Sequence, residues 1–457
     1  MSLEGAKVVV VGLERSGMAA IELLRARGAV VTATDARPLD QLPLAAPLAH
    51  WRVRFLPQCE DAFTGQDLAV ISPGVPAGLD LLENARRRGM PVIGEVELAA
   101  RYLEGPILGV TGSNGKTTTT ALTGHLLRAG GIPVQVGGNI GTPASSLVAT
   151  SRPGQWNVLE LSSFQLETID RLRARIAVAL NVTPDHLDRH STMEAYTAAK
   201  ARLFENQREA DFAVLNADDA ACVGFAAATR ARPLWFSLTR PVTPGLWLEE
   251  GQIHFDAGRW MAASEIPLRG RHNIENVMAA AAAARLAGGG LEALAGGVRS
   301  FPGVEHRLEF VRRLDGVDYY NDSKATNVDA ALKAIDAFSE PLWIILGGKD
   351  KGSDYSVLRR PLAARARAAL LIGAAAAKIA EQLGGAVPVT SCGTLEAALR
   401  AAAAGAVRGE IVLLAPACAS FDQFENFEHR GRTFKDLVNA LAEKSQSASG
   451  SPAAAKE

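Results

Sequence analysis

Between the apolar run Pro106-Ile107-Leu108 and the helix-like segment Ala121–Arg128, the chain reads Gly109-Val-Thr-Gly-Ser-Asn-Gly-Lys-Thr-Thr-Thr-Thr120. A strand, a glycine-rich turn and a helix N-terminus make an anion cradle, because backbone N–H groups and the helix dipole converge on phosphate. Gly112, Ser113, Asn114 and Gly115 would supply that backbone, Lys116 a mobile cation, and Thr117 and Thr118 hydroxyls. Thr117 stands where a phosphate-loop hydroxyl holds Mg²⁺. Val110 takes the place of the first glycine, so the spacing departs from the strict phosphate-loop pattern. The flanking strand and helix still predict a nucleoside triphosphate site.

Further chemistry-bearing residues fall at the ends of apolar runs. Glu160, near the end of the expected strand Val158–Leu161, is placed to hold Mg²⁺. Asn181-Val-Thr-Pro-Asp-His-Leu-Asp188 follows the expected strand Ala177–Leu180, at the edge where α/β sites form. A lone His186 would read as a structural histidine; with Asp185 and Asp188 it reads as a ligand or positioning group. Gly137-Gly-Asn-Ile-Gly141 lets backbone approach a ligand, and Asn139 adds a neutral amide. Lys200, in a helical stretch, reads by composition alone as a solvent lysine.

Near the N-terminus, Gly12-Leu-Glu-Arg-Ser-Gly17 joins a strand to a helix, and Asp35 ends the next strand. The pattern resembles a dinucleotide fingerprint. Glu14, however, fills a position that needs glycine, and its carboxylate would repel a diphosphate. A nucleotide-containing substrate held differently is therefore expected in preference to a nicotinamide cofactor. Ser16 keeps a hydroxyl in the turn, Arg37 could pair with phosphate, and Ser72-Pro73-Gly74 offers a hydroxyl and backbone donors. Asp35 and Arg37 read equally well as solvated turn residues.

The elements that must position these groups alternate throughout, as in α/β proteins with mainly parallel sheets. Strands are expected at Lys7–Val11, Val30–Thr34, Ala69–Ile71 and Phe212–Leu215, and later at Leu342–Leu346, Ala369–Ile372 and Ile411–Ala415. Helices are expected at Gly17–Arg27 and Ile274–Leu286. Domain boundaries are placed at 1–100, 101–303 and 304–445, with a Ser/Ala-rich tail at 446–457 expected to be disordered. The 457 residues hold 48 Lys+Arg against 49 Asp+Glu, so no global field favours nucleic acid or an anionic membrane. No apolar stretch is long enough for a membrane span, and four scattered cysteines give neither a disulfide framework nor a zinc site. A cytoplasmic protein is expected.

Several motifs together resemble the Mur ligase family: Thr111–Thr117, Gly138–Gly141, Glu160–Glu167, Asn181–His186, Tyr196–Lys200, His272–Asn276 and Asn321–Asn327. Asp422-Gln-Phe-Glu-Asn-Phe-Glu-His-Arg-Gly431 resembles the signature of members that add D-glutamate to UDP-N-acetylmuramoyl-L-alanine in peptidoglycan precursor synthesis. The resemblance implies three α/β domains: a Rossmann-like N-terminal domain, a P-loop-type central ATPase domain and a Rossmann-like C-terminal domain. It implies an ATP-dependent amide ligase working through an acyl phosphate, and a monomer is expected.

By the same resemblance, Lys116, His186, Lys200 and Lys324 are the catalytic set. Thr117 and Glu160 would bind one Mg²⁺, and His186 with carbamylated Lys200 a second. Asn139 and His186 would face the muramoyl substrate. Asn273 and Asn276 resemble adenine-side residues, and Arg307 and Asp322 resemble residues holding ATP phosphate and ribose. Thr326, Lys351, Ser420 and Phe427 match D-glutamate binders. Lys349 has no assigned role. Ligases for other amino acids, a folate polyglutamylating enzyme and a phosphate-loop regulator are the competing readings. None of them needs both the first domain and the Asp422–Gly431 motif.

Overall fold

Val8, Val9, Val10 and Val11 are all fully buried, which only a strand covered on both faces allows. The computed structural model describes residues 3–256 and 258–449, apart from the side chains of 187–188 and 442–449. In the first sheet, β1 (Lys7–Val11), β2 (Val30–Asp35), β3 (Arg54–Pro57), β4 (Leu68–Ile71) and β5 (Val92–Gly94) run in the order 3-2-1-4-5. All pairs are parallel. Alternate valines face opposite layers: Val8 and Val10 join a core with Ile21 and Leu24 of the helix Arg15–Ala26, while Val9 and Val11 meet Phe63 and Leu82.

The turn into that helix is unusually tight. A Cβ on Gly17 would lie 1.8 Å from the carbonyl oxygen of Gly12. The two glycines of the apparent fingerprint thus serve strand-to-helix packing directly.

The second sheet comprises β6 (Ile107–Thr111), β7 (Val134–Gly138), β8 (Trp156–Glu160), β9 (Ala174–Ala179), β10 (Phe212–Asn216), β11 (Arg232–Ser237), β12 (Gly245–Glu249), β13 (Gln252–Phe255) and β14 (Gly258–Ala262). Its order is 14-13-12-11-10-9-6-8-7. Pairing is parallel from β7 to β12 and antiparallel through β13 and β14. β6 lies inside, between β8 and β9, with Val110 opposite both Glu160 and Val178. The helix Arg271–Leu286 buries its alanines completely from Ala279 to Ala284, so this tract is core.

The third sheet takes β15 (Glu309–Leu314), β16 (Val317–Asn321), β17 (Leu342–Gly347), β18 (Ala366–Ile372), β19 (Val389–Gly393) and β20 (Ile411–Leu414) in the order 15-16-20-17-18-19. Only β15 is antiparallel to its neighbour. Separate apolar layers cover its two faces.

Two compact units result. One takes in the chain to Pro267 together with His272–Phe301; the other takes in Leu268–Arg271 and the chain from Pro302. The first two sheets share one compact unit, because one apolar core runs from Leu3 and Val8 through Leu98 to Leu159 and Leu215. Polar latches reinforce it. Glu97 is fully buried and accepts backbone N–H groups from Asp170, Arg171 and Leu172 at 2.9–3.0 Å. The expected disordered tail needs correction at its start: the helix Phe427–Ser449 runs through 446–449. Ala, Glu, Lys, Gln and Ser continue a helix, and the first breakers are Gly450 and Pro452. Residues 450–457 lie outside those described. Among the described residues no helix is long and apolar enough to cross a membrane.

Gly17→Ala is expected to destabilise the first unit by about 1–3 kcal/mol, through the overpacking of an added methyl against backbone. Urea unfolding monitored by circular dichroism would measure it, and an unchanged midpoint would contradict the packing described.

Candidate functional site

The phosphate-type loop is fastened from three sides. Gly115 precedes the helix Lys116–Ala129 with φ +83°, and a Cβ there would meet Asn276 Oδ1 at 2.2 Å. Asn276 in turn accepts from Thr119 Oγ1 (3.2 Å) and donates to Asn273 (2.9 Å), so this buried pair lies beneath the loop. On another side, Asn181 accepts the Asn114 N–H with its side chain (2.8 Å) and the Ser113 N–H with its carbonyl (2.9 Å). Ser113 Oγ donates to the Thr183 carbonyl (2.9 Å), accepts the Thr183 N–H (2.9 Å) and lies 3.1 Å from the Tyr196 hydroxyl. Thr117 and Thr118 are buried in the first helical turn.

Two lysines converge on this loop. Lys116 Nζ donates to the carbonyls of Gly112 and Ser113, each at 2.8 Å. Lys200 Nζ donates to the same Gly112 oxygen at 2.8 Å. Lys200 is 1% exposed, which overturns its reading as a solvent lysine: its helix, Met193–Ala201, turns this face inward. Burial first, and the Lys116 charge second, depress its ammonium to about 6.

Strand β8 ends in Glu160, paired in register with the strand that feeds the loop. Its Oε1 accepts the Asn139 amide at 3.0 Å, while Oε2 is buried without a hydrogen-bond partner. A buried carboxylate oxygen left open beside a neutral amide fits a hard, oxygen-seeking cation such as Mg²⁺. His186 is half-exposed, adopts φ +53°, and packs edge-on to Phe164 at 4.9 Å. Asp185 lies 3.5 Å from its Nε2; the Asp188 side chain lies outside those described.

His190, four residues on, was not expected in the site. It is buried, with Nε2 2.9 Å from Ser163 Oγ, Nδ1 3.3 Å from Glu167, and its ring against Phe164 and Tyr196. Burial holds its imidazolium form down against the pull of Glu167. The signal in the sequence was its helical spacing from His186.

At the first sheet's carboxyl ends lies a cavity of about 550 Å³. Ser16, Asp35, Arg37, Ser72, Pro73 and Gly74 all line it, as does Asn139 from the second sheet; His186 is not among its lining residues. The cavity's charges are already mutually engaged. Asp35 accepts the Leu13 N–H (2.8 Å) and both the backbone and Nε of Arg37 (3.0 and 3.2 Å). Burial would raise the Asp35 carboxyl, but these bonds outweigh it and hold it below its usual range. Arg37 also meets Glu14 at 2.8 Å, which removes much of the repulsion expected from Glu14.

In the second unit the acceptor-type residues gather around three loops. Lys349 and Ala419 exchange backbone hydrogen bonds (2.8 and 3.2 Å), joining the Gly347–Lys351 loop to the one carrying buried Ser420. Asp350 is held by Lys378 (2.7 Å) and Tyr355 (2.8 Å), chiefly through Lys378, and falls to about 2; Lys351 beside it stays exposed. Lys324 Nζ lies 5.0 Å from the Phe427 ring centroid, and Thr326 donates its N–H to the Lys324 carbonyl. Asp322 is buried, and burial pushes its carboxyl up to about 7 against the pull of Arg307.

Arg430, also unexpected, is fully buried and binds the carbonyls of Ser323, Cys418 and Ala419 and the Ser323 hydroxyl. It ties the Asp322–Lys324 segment to the Ser420 loop. Its spacing from Phe427 and Phe434, on one helical stripe, was the sign that it faces inward.

Family models match most of this framework: the MurD-like N-terminal domain of Mur ligases at residues 6–94, the Mur ligase middle domain at 110–284, and the Mur ligase glutamate ligase domain at 306–418. The chain belongs to the Mur ligase family. Among curated Mur ligase relatives, the UDP-N-acetylmuramoylalanine–D-glutamate ligase of Solibacter usitatus is 60% identical, covering 97% of this chain and all of that one. The enzyme of the same name from Koribacter versatilis is 51% identical, covering 97% and 99%. The fold is also that of UDP-N-acetylmuramate-alanine ligase MurC from Thermotoga maritima, with a TM-score of 0.62 at 17% identity over 95% of this chain and 99% of that one. Three α/β domains with mainly parallel sheets, as expected, are the Mur ligase architecture.

In this Mur ligase, Lys116→Ala is expected to leave a folded protein with ATP turnover lowered on the order of 10²-fold or more, as when one preorganised donor is lost. Near-normal turnover in the purified variant would contradict a phosphate role for the lysine.

Proposed function

We propose that the chain is an ATP-dependent amide ligase joining D-glutamate to UDP-N-acetylmuramoyl-L-alanine in peptidoglycan precursor synthesis, acting as a cytoplasmic monomer. The near full-length identity to enzymes of that name supports the substrate pair. The observation that carries the chemistry is the Gly112 carbonyl shared by two lysines, one part-buried and one buried, directly after the strand paired with Glu160.

The substrate's carboxylate must attack the γ-phosphate of ATP while both are anionic, so neutralising charge is the main demand. Gly112, Ser113, Asn114, Gly115, Thr117 and Thr118 cradle the phosphates, and Lys116 leaves its loop carbonyls to follow them. Asn273 and Asn276 serve the adenine side, and Arg307 and Asp322 the phosphate and ribose. The uridine diphosphate occupies the first-sheet cavity, with Asn139 and His186 toward the muramoyl part. Thr117 and Glu160 would hold one Mg²⁺; His186 and carbamylated Lys200 would hold a second. The ions, when bound, neutralise phosphate charge.

As an ammonium, Lys200 is a donor and no metal ligand. Its depressed ammonium makes it neutral near pH 7, so Nζ can attack CO₂ and release a proton to give the carbamate. Phosphoryl transfer to the carboxylate expels ADP, and the D-glutamate amine then attacks the acyl carbon of the acyl phosphate and expels inorganic phosphate to leave the amide. Lys351, Ser420 and Thr326 donate to the acceptor's carboxylates, Phe427 walls them, and Lys324 approaches the phosphate or acceptor.

The deciding experiment follows ADP and amide product with D- and L-glutamate side by side. Turnover should require both UDP-N-acetylmuramoyl-L-alanine and D-glutamate; ATP hydrolysis without amide product would defeat the proposal. Lys351→Ala and Ser420→Ala should each weaken D-glutamate by about 1.5–3 kcal/mol, read from its KM, and leave the KM for ATP unchanged.

Lys200→Arg should be inactive though folded, because a guanidinium keeps the charge but cannot become an anionic ligand. Lys200→Ala should regain some activity with added acetate. Wild-type activity in the arginine variant would exclude the carbamate.

A further inference from the structure

Arg189 sits where the first sheet's cavity meets the second sheet's acid motif. Its Nη2 donates both to the carbonyl of Val75 (3.0 Å) and to Glu167 Oε2 (2.9 Å). Its guanidinium lies 4.7 Å from the centroid of the Phe164 ring, the same ring that His186 meets edge-on. The other oxygen of Glu167 is 3.3 Å from His190, which reaches Ser163. Arg189 and Glu167 are mostly buried, with 17% and 20% of their side chains exposed.

Val75 matters because it lines the cavity between Gly74 and Pro76. Its N–H donates to the Ser72 carbonyl (3.0 Å), and Ser72 Oγ donates to the Gly12 carbonyl (2.7 Å). From the sheet side the loop is therefore fixed to the glycine turn. From the other side the described contact is the guanidinium of Arg189, a residue 114 positions away.

We propose that Arg189 is a positioning residue that sets the substrate-cavity loop against the second sheet, with Glu167 and the Phe164 face fixing its orientation. The uridine end of the substrate is then held at a set distance from the phosphate loop by a residue that does not itself line the cavity. One nitrogen, Nη2, bridges the carbonyl and the carboxylate while the planar guanidinium lies on the Phe164 ring; a lysine ammonium has donors but no flat face to fix it against that ring. The kinetic part of this inference rests on the proposed substrate pair, while the loop-fixing part does not.

The test compares Arg189→Met, Arg189→Lys and Glu167→Gln with wild type. In Arg189→Met, KM for UDP-N-acetylmuramoyl-L-alanine should rise about tenfold or more, with KM for ATP within about twofold, since a displaced binding loop costs reactant positioning. Hydrogen exchange of the backbone amides in 72–79 should quicken without any substrate present. Arg189→Lys should resemble Arg189→Met, and Glu167→Gln, whose amide oxygen can still accept, should fall between it and wild type. An equal rise in both KM values, unchanged exchange in 72–79, or full function in Arg189→Lys would each overturn the proposal. Should wild type fail to use the muramoyl substrate, the proposed function falls, and the exchange measurement alone still decides whether Arg189 fixes the loop.

Discussion

Two ammonium groups meet at one backbone oxygen, the carbonyl of Gly112. Two full positive charges cannot share that acceptor away from water without a large penalty, so one must move or lose its proton. The molecule has an answer for each lysine. Lys116 begins a helix and is only part-buried, so its charge stays within reach of water. Lys200 is sealed beneath Tyr196 and becomes the neutral one. The surrounding structure serves to keep that oxygen where both can reach it. Asn276 packs under Gly115, Asn181 and Thr183 fasten Ser113 and Asn114, and the interior place of β6 fixes the strand before them.

The second unit meets a buried cation differently. Arg430 cannot shed its proton at ordinary pH, although burial lowers it to about 10, and its partners are neutral carbonyls and a hydroxyl. Carbonyl dipoles at the ends of separate segments thereby share one guanidinium. The same loops contain Asp322, whose carboxyl burial has pushed in the opposite direction. Each unit thus uses desolvation as its main electrostatic tool, with hydrogen bonds deciding how far it goes.

Much of this was legible in the residues. Continuous aliphatic runs such as Val8–Val11 could only be strands of a covered parallel sheet, and the glycine-lysine turn after Leu108 joins a strand to a helix as its pattern predicts. What could not be read was burial set by distant neighbours. Lys200 looked like a surface residue because its helix carries a weak apolar stripe; the group it binds, the Gly112 carbonyl, lies 88 positions away. Asp35 and Arg37 read equally as ligands or as solvated turn residues; in the structure they bind each other, and Arg37 also binds Glu14. Arg189 and His190 stood next to a recognised motif, but their partners, Val75, Ser163 and Glu167, lie on elements that no local pattern connects. The start of the terminal tail was misread because composition typical of disorder also suits a helix until a glycine or proline ends it.

The apolar core that passes from the first sheet into the second without interruption has a consequence for ancestry and engineering. Modules that can be exchanged between proteins are bounded by surfaces that water already wets. Here the seam near residue 100 is dry, closed by Leu98, Ala99 and the capped carboxylate of Glu97. A first domain transplanted from a relative would have to bring the matching apolar face and loop amides with it. Changes confined to the cavity's loops, in contrast, would leave that dry seam between the sheets untouched.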